Sequence, residues 1–166
     1  MLDKRVFVFQ KGVMMKHTIL VTGAGGGGGE NLIDSLRRSN LDLTIFGSNM
    51  DKFLLSKSSA DRTVWLPSAK TNEYIDRLEN LVQEEKIELV IPNNDTEVGR
   101  ISQDRERLSC RVFLPPDETV SICQDKLKMH EVFVRHDIPQ AKYASITSYN
   151  DIDEFMNANP AEKYWV

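Results

Sequence analysis

Six of the nine glycines fall within Gly23-Ala24-Gly25-Gly26-Gly27-Gly28-Gly29. Glycine costs about 0.5–1 kcal/mol relative to alanine in regular structure, so a run this dense needs a local reason. One reason is geometric, because a strand end, a helix start and a ligand approach closely only where no Cβ intervenes. The other is electrostatic: unpaired N–H groups at a helix N-terminus attract anions. Gly23, Gly25 and Gly28 also fit G-x-G-x-x-G between a strand and a helix, the setting of a dinucleotide fingerprint. That fingerprint expects an acid at the end of the second strand to hold the ribose hydroxyls. Here the chain reads Phe46-Gly47-Ser48-Asn49, and Asp51 is the first acid. Three readings of the turn stand: a tight connection with no ligand, a site for an anion or substrate carboxylate at Gly23, Gly25 and Gly26, and an NAD(P) site.

A second cluster, Pro92-Asn93-Asn94-Asp95-Thr96-Glu97, follows an apolar run. Ligands of open α/β sheets bind beyond the carboxyl ends of strands, which is where this segment would lie. Asn94, Asp95 and Glu97 are therefore candidate substrate-binding residues. Asn94 or Asp95 also suits a helix N-cap, with Glu97 in the first turn complementing the helix dipole. Both roles fit together, since one residue can cap while its neighbours face a crevice. Ser48 lacks a nucleophile-elbow context, and His17, His130 and His136 lie far apart without a partner pattern.

The elements that must position these clusters alternate between strand and helix. Residues 17–22, 41–46, 62–66, 87–91 and 112–114 are short, apolar, β-branched strands, the second ended by Gly47 and the third and fourth by prolines. Helices are expected over 30–39, 51–60, 72–86 (capped by Thr71 or Asn72) and 96–108, with apolar residues at helical spacing. This order implies an α/β fold, a Rossmann-like doubly wound parallel sheet. Trp65 is expected to pack in the sheet. Beyond Asp117 the pattern changes to helices over 117–123 and 125–136, an extended stretch over 143–147, a capped helix over 150–157, and Tyr164-Trp165-Val166, which reads as the start of a buried strand.

Charge and composition narrow the function classes. The formal net charge is −4, and no basic stripe stands ready to neutralise a phosphate backbone, so nucleic acid is not an expected partner. No apolar run approaches the roughly 18 residues of a membrane span. Cys110 and Cys123 show no metal-ligand spacing and are expected to be small buried hydrophobes in a reducing cytoplasm. Residues 1–14 read as a leader or upstream extension without defined order, and Met14 or Met15 could be the true start.

"ILVTGAGG" at 19–26, "VIPNNDTE" at 90–97 and "CQDKLKMHEVFVRHDIPQAKY" at 123–143 occur in that order. Together they resemble the N-terminal part of ATP-grasp ligases, in the carbamoyl-phosphate-synthase-like and PylC-like branch, over about residues 15–166. The resemblance implies a preATP-grasp domain over 15–122 that helps hold the acceptor substrate. It implies the beginning of an ATP-grasp domain over 123–166, with Lys126 contacting nucleotide phosphate and Lys128 merely solvated. ATP and Mg2+ would be the cofactors, small carboxylates and amines the substrates, and a homodimer a candidate assembly. Asp137 before Ile138-Pro139, and Gln140-Ala141 after it, depart from the family's Gly-Ile-Pro pattern. The second nucleotide-binding Lys or Arg, the glycine-rich flap and the acidic magnesium ligands are expected beyond Val166. The chain thus reads as the front part of a longer ligase, inactive alone. The other classes carried forward are an NAD(P)-binding oxidoreductase domain and a stand-alone small-anion-binding module.

Overall fold

A computed structural model describes residues 16–164. The expected leader, Trp165 and Val166 lie outside the described residues. The chain divides after Val120 into two compact units.

In the first unit, β1 (His17–Thr22), β2 (Leu43–Asn49), β3 (Arg62–Trp65), β4 (Leu89–Ile91) and β5 (Arg111–Val112) form one sheet in the order β3-β2-β1-β4-β5. Every pairing is parallel, with Thr22 opposite Ser48 and Val21 opposite Ile91. Between the strands lie α1 (Gly27–Arg37), α2 (Lys52–Leu55), α3 (Glu73–Glu84) and α4 (Asp95–Gln103). A short 3-10 turn, Arg105–Arg107, follows α4.

Strand periodicity splits the core in two. Leu20, Phe46 and Val90 face one side, where Tyr74, Ile75, Leu78 and Val82 of α3 and Ile101 of α4 cover them. Val21 and Ile45 face the other, beneath Ile33 of α1 and Leu55 of α2. Each fully buried aliphatic side chain contributes about 1.5–3 kcal/mol relative to exposure. Because both faces are covered, the strands read as continuous apolar runs. The sheet is therefore the expected doubly wound one.

Several details differ from the sequence reading. Helix α1 begins at Gly27, three residues before Glu30, so the glycines supply its first turn. Strand β2 runs through Gly47 to Asn49. A Cβ at residue 47 would sit 2.7 Å from the Ala24 Cβ and 2.9 Å from the Ala60 Cβ, so glycine is needed within the strand for packing. Neither Thr71 nor Asn72 caps α3 through its side chain; the Tyr74 N–H donates instead to the Thr71 carbonyl at 3.3 Å. Trp65 stands at the sheet edge, 36% exposed. Its indole N–H donates to the Met50 carbonyl at 2.9 Å, and Lys52 and Arg77 lie over its ring. Cys110 is half-buried against the α3 core, and burial pushes its thiol up to about 11. Cys123 is exposed, contrary to expectation.

The second unit holds α6 (Lys126–Arg135) and α7 (Tyr149–Ala158), preceded by α5 (Asp117–Gln124), which spans the division. Ser148 and Asp151 form a reciprocal capping box at the start of α7. Hydrogen bonds from the Thr147 backbone and hydroxyl and from Ser148 hold the Asp151 carboxyl down at about 2. Residues 143–147 pair with no strand among the described residues. Tyr164 closes back on α7, its hydroxyl donating to the Asn159 carbonyl at 2.8 Å.

Candidate functional site at the carboxyl edge of the sheet

Strand order reverses between β1 and β4, because β2 and β3 are laid to one side of β1 and β4 and β5 to the other. The loops leaving β1 and β4 diverge at such a point and open a crevice. The glycine turn leaves β1, and Asn93 and Asn94 leave β4. Both predicted clusters therefore come to the same edge.

The glycine turn is already closed by protein groups on its β2 side. Gly23 and Gly25 adopt φ values of +67° and +81°, and a Cβ on Gly25 would lie 1.7 Å from the Leu54 carbonyl oxygen. The Gly25 N–H donates to Glu30 Oε1 at 2.7 Å. Glu30 Oε2 accepts from the Ser59 N–H at 2.9 Å and the Ser59 hydroxyl at 2.7 Å. Burial works to raise the Glu30 pKa, but the Ser59 hydroxyl, the Ser59 amide and the Gly25 amide outweigh it and hold the carboxyl below its ordinary value. A resident carboxylate thus occupies the anion position that the free amides suggested. The signal was present in the sequence, as an acid in the first turn of a helix. Ala24 N–H donates to the Ser48 carbonyl at 3.0 Å and Gly26 N–H to the Gly23 carbonyl at 3.3 Å. What stays exposed are Gly27 and Gly28 at the start of α1.

The end of β2 is equally committed. Asn49 Nδ2 donates to the Ala24 carbonyl at 2.7 Å. Asp51, the first acid after the strand, caps α2 by accepting from the N–H groups of Phe53 and Leu54 at 2.8 and 3.1 Å. Asp51 is thus spent as a cap, and Leu54 is pressed against Gly25.

The β4 side holds the more unusual chemistry. Asn94 caps α4, its Oδ1 accepting from the Glu97 N–H at 3.0 Å, and its Nδ2 donates to Glu97 Oε2. Glu97 lies in the first turn of α4, as read, and is buried, 6% exposed. The Tyr74 hydroxyl donates to its Oε1 at 3.2 Å, and the Thr22 hydroxyl donates to it as well. Thr22 Oγ1 also accepts from the Asn93 N–H at 3.1 Å. Burial raises the Glu97 pKa, against the opposing hydrogen bonds of Thr22 and Tyr74. The Tyr74 phenol is driven upward by its own burial and then by the neighbouring Glu97 charge. Tyr74 lies 23 residues away in sequence and could not have been assigned to this cluster from spacing. The Ser48 hydroxyl, buried and opposite Thr22, has no hydrogen-bond partner among the described residues. Asp95 is exposed at the first position of α4. A Cβ on Gly28 would come within 2.9 Å of Asn93 Nδ2, so the two loops meet at the crevice.

Lys126 belongs to the second unit. It is exposed at the first position of α6, whose cap is Asp125, accepting from the N–H groups of Leu127 and Lys128 at 3.0 and 3.1 Å. Lys126 makes no ion pair among the described residues, and the first free amides of the helix are taken by Asp125. Lys128 is exposed, its Nζ 3.8 Å from Asp125 Oδ2. His17 pairs with Glu88 at 2.9 Å at the opposite end of β1. Among the described residues, no group of three His, Cys, Asp or Glu is placed to hold a metal ion. No described helix is long and apolar enough to cross a membrane.

This five-stranded parallel sheet, with its switch point between β1 and β4, is a Rossmann-like α/β domain. Residues 19–112 match the PylC-like, N-terminal domain family, and the chain belongs to that family. Curated proteins gave no match. Among solved structures, the N5-carboxyaminoimidazole synthase of Aspergillus clavatus, in complex with ADP and 5-aminoimidazole ribonucleotide, is similar at a TM-score of 0.60 and 16% identity. That similarity covers 87% of this chain and 36% of the synthase. An L-amino acid ligase from Bacillus licheniformis gives 0.58 and 14%, over 86% of this chain and 40% of the ligase. The biotin carboxylase domain of a single-chain bacterial carboxylase gives 0.54 and 16%, over 86% and 34%. At these identities the likeness is one of fold. The chain spans between 34% and 40% of the length of these three structures.

Proposed function

We propose that this chain is the front part of an ATP-dependent carboxylate–amine ligase of the ATP-grasp type. The intact protein activates a carboxylate as an acyl phosphate, which an amine then attacks. The observation that carries this reading is the family match over residues 19–112. Residues 1–14 are an extension, 15–122 the preATP-grasp domain, and 123–166 the beginning of the nucleotide-binding domain.

In this reading the first unit helps hold the acceptor substrate. The switch-point crevice offers the turn of Gly23, Gly25 and Gly26 and the exposed start of α1 to a carboxylate, while Asn94, Asp95 and Glu97 line the facing loop. The commitment of the Gly25 amide to Glu30 moves the carboxylate contact toward residues 26–28. Lys126 neutralises a nucleotide phosphate as a flexible point charge. ATP with Mg2+ supplies the phosphoryl group, and the metal's ligands come from outside residues 16–164. Phosphoryl transfer depends on positioning and on metal neutralisation of charge, so this chain alone is inactive. A cytoplasmic location and a homodimer belong to the same proposal.

Titration of the isotopically labelled chain with propionate, followed by backbone amide NMR, tests the substrate crevice. The expected result is saturable shifts at residues 26–28 and at Asn94. Shifts absent up to the highest soluble concentration would contradict it.

A further inference from the structure

The polar cluster at the end of β1 is arranged around one ionised carboxylate. Glu97 accepts the Tyr74 hydroxyl on Oε1 at 3.2 Å and the Asn94 Nδ2 on Oε2, and the Thr22 hydroxyl donates to it as well. All three neighbours act as donors, which suits a carboxylate because only the ionised form is purely an acceptor. Protonation turns one Glu97 oxygen into a donor, so one of the three neighbours must let go. Tyr74 is fully buried, and its hydroxyl makes no other hydrogen bond among the described residues. Thr22 is also fully buried, its oxygen already accepting from the Asn93 N–H at 3.1 Å. Stranding either hydroxyl in the interior is costly. Asn94 alone is exposed, so its carboxamide can exchange Glu97 for water. That carboxamide is also the cap of α4, its Oδ1 accepting from the Glu97 N–H at 3.0 Å. A donor set against a donor turns the carboxamide, and the turn takes Oδ1 off the Glu97 N–H.

We propose that Glu97 and Asn94 form a proton-operated latch on the loop entering α4, closed while Glu97 is ionised and open once it is protonated. The groups that bear on the charge of Glu97 are few. From α3 comes the Tyr74 phenol, driven upward by its own burial and by the Glu97 charge, so it keeps its proton throughout. On α4 itself, Arg100 is held by Asp104 and by the Thr71 carbonyl at 3.3 Å, and Asp95 is exposed at the first position. β1 contributes the neutral Thr22, and the loop after β4 the neutral Asn93 and Asn94. No cation pairs with Glu97 among the described residues. Burial favours the protonated form and moves the transition above the ordinary 4.5. The latch requires no ligand and is independent of what the crevice binds.

The test follows the isotopically labelled 166-residue chain by NMR from about pH 8 to about pH 5. Three signals are read: the Glu97 carboxyl carbon, the Asn94 carboxamide protons, and the protection of the Glu97 N–H against hydrogen exchange. The expected result is one midpoint shared by all three, above 4.5. Below it the protection of the Glu97 N–H should fall about fivefold, the loss expected when a side-chain cap is removed. E97Q offers a donor and an acceptor, as the protonated carboxyl does, and should show the low protection at every pH while Ile33 keeps its own. A Glu97 carbon that titrates while the Asn94 protons and the Glu97 N–H stay unmoved would overturn the latch. So would a midpoint at or below 4.5, or protection lost at Glu97 and Ile33 together, which is general acid unfolding. Should E97Q fail to fold, the wild-type titration decides alone.

Discussion

Two glycines in the same helical turn should respond in opposite directions to the same substitution. Gly27 and Gly29 both lie in the first turn of α1. A Cβ on Gly27 meets nothing within 4 Å, so G27A should gain the ordinary helix-propensity difference, about 0.5–1 kcal/mol. A Cβ on Gly29 would lie 2.4 Å from the Gly23 carbonyl oxygen, 2.9 Å from its carbon and 3.1 Å from the Ala24 Cα. All three are backbone atoms of the turn, so relief requires the turn itself to shift rather than a side chain to rotate. Overpacking against such a surface costs roughly 1–3 kcal/mol, which exceeds the propensity gain and reverses the sign. The net expectation for G29A is a loss of up to about 2.5 kcal/mol, about 1 kcal/mol at mid-range. The assay is urea unfolding followed by fluorescence in a W165F background, which leaves Trp65 as the only tryptophan and so reports on the first unit. G29A as stable as G27A, or more so, would refute the claim that the turn is packed backbone against backbone.

The remaining predictions concern charge. Glu30 has its folded pKa below the ordinary 4.5, so its contribution is present above that value and is lost as pH falls below it. E30Q should cost about 1–2 kcal/mol near pH 7 and show a flatter acid limb in thermal melts than wild type. Glu97 behaves in the opposite sense, because its folded pKa is raised above 4.5. Wild type should lose stability as pH rises from 4.5 through the folded pKa, and E97Q should abolish that loss and melt at or above wild type near pH 7. Such a gain would mark a residue kept for function at the expense of stability. K126A should leave melting unchanged, since Lys126 makes no ion pair among the described residues. Mg-ATP should bind the wild-type chain more weakly than micromolar by calorimetry, and K126A more weakly still.

Much of the fold was legible because strand and helix periods alternate cleanly. β1 falls on residues 17–22 as read, since a continuous apolar run bounded by a glycine turn has few other solutions. The errors have specific causes. Gly47 looks like a terminator in sequence, whereas its role is to admit Ala24 and Ala60, contacts that only the folded sheet creates. Trp65 reads as a core aromatic by type, yet β3 is an edge strand and its ring goes to Lys52 and Arg77. At the candidate site, the Asn94–Glu97 cap was readable from spacing. The burial of Glu97 was not, because it depends on Tyr74 arriving from α3 and Thr22 from β1. The role of Glu30 was not legible, because it depends on Ser59 arriving beside the glycine turn from beyond α2.

Trapping of the activated carboxylate tests the central claim most directly. The full product of the gene would be incubated with Mg-ATP, hydroxylamine and a pool of amino acids, and both ADP and acyl hydroxamate measured. A carboxylate–amine ligase predicts hydroxamate that requires ATP and accumulates one-for-one with ADP. ADP release without hydroxamate, or no ATP turnover with any member of the pool, would contradict the account.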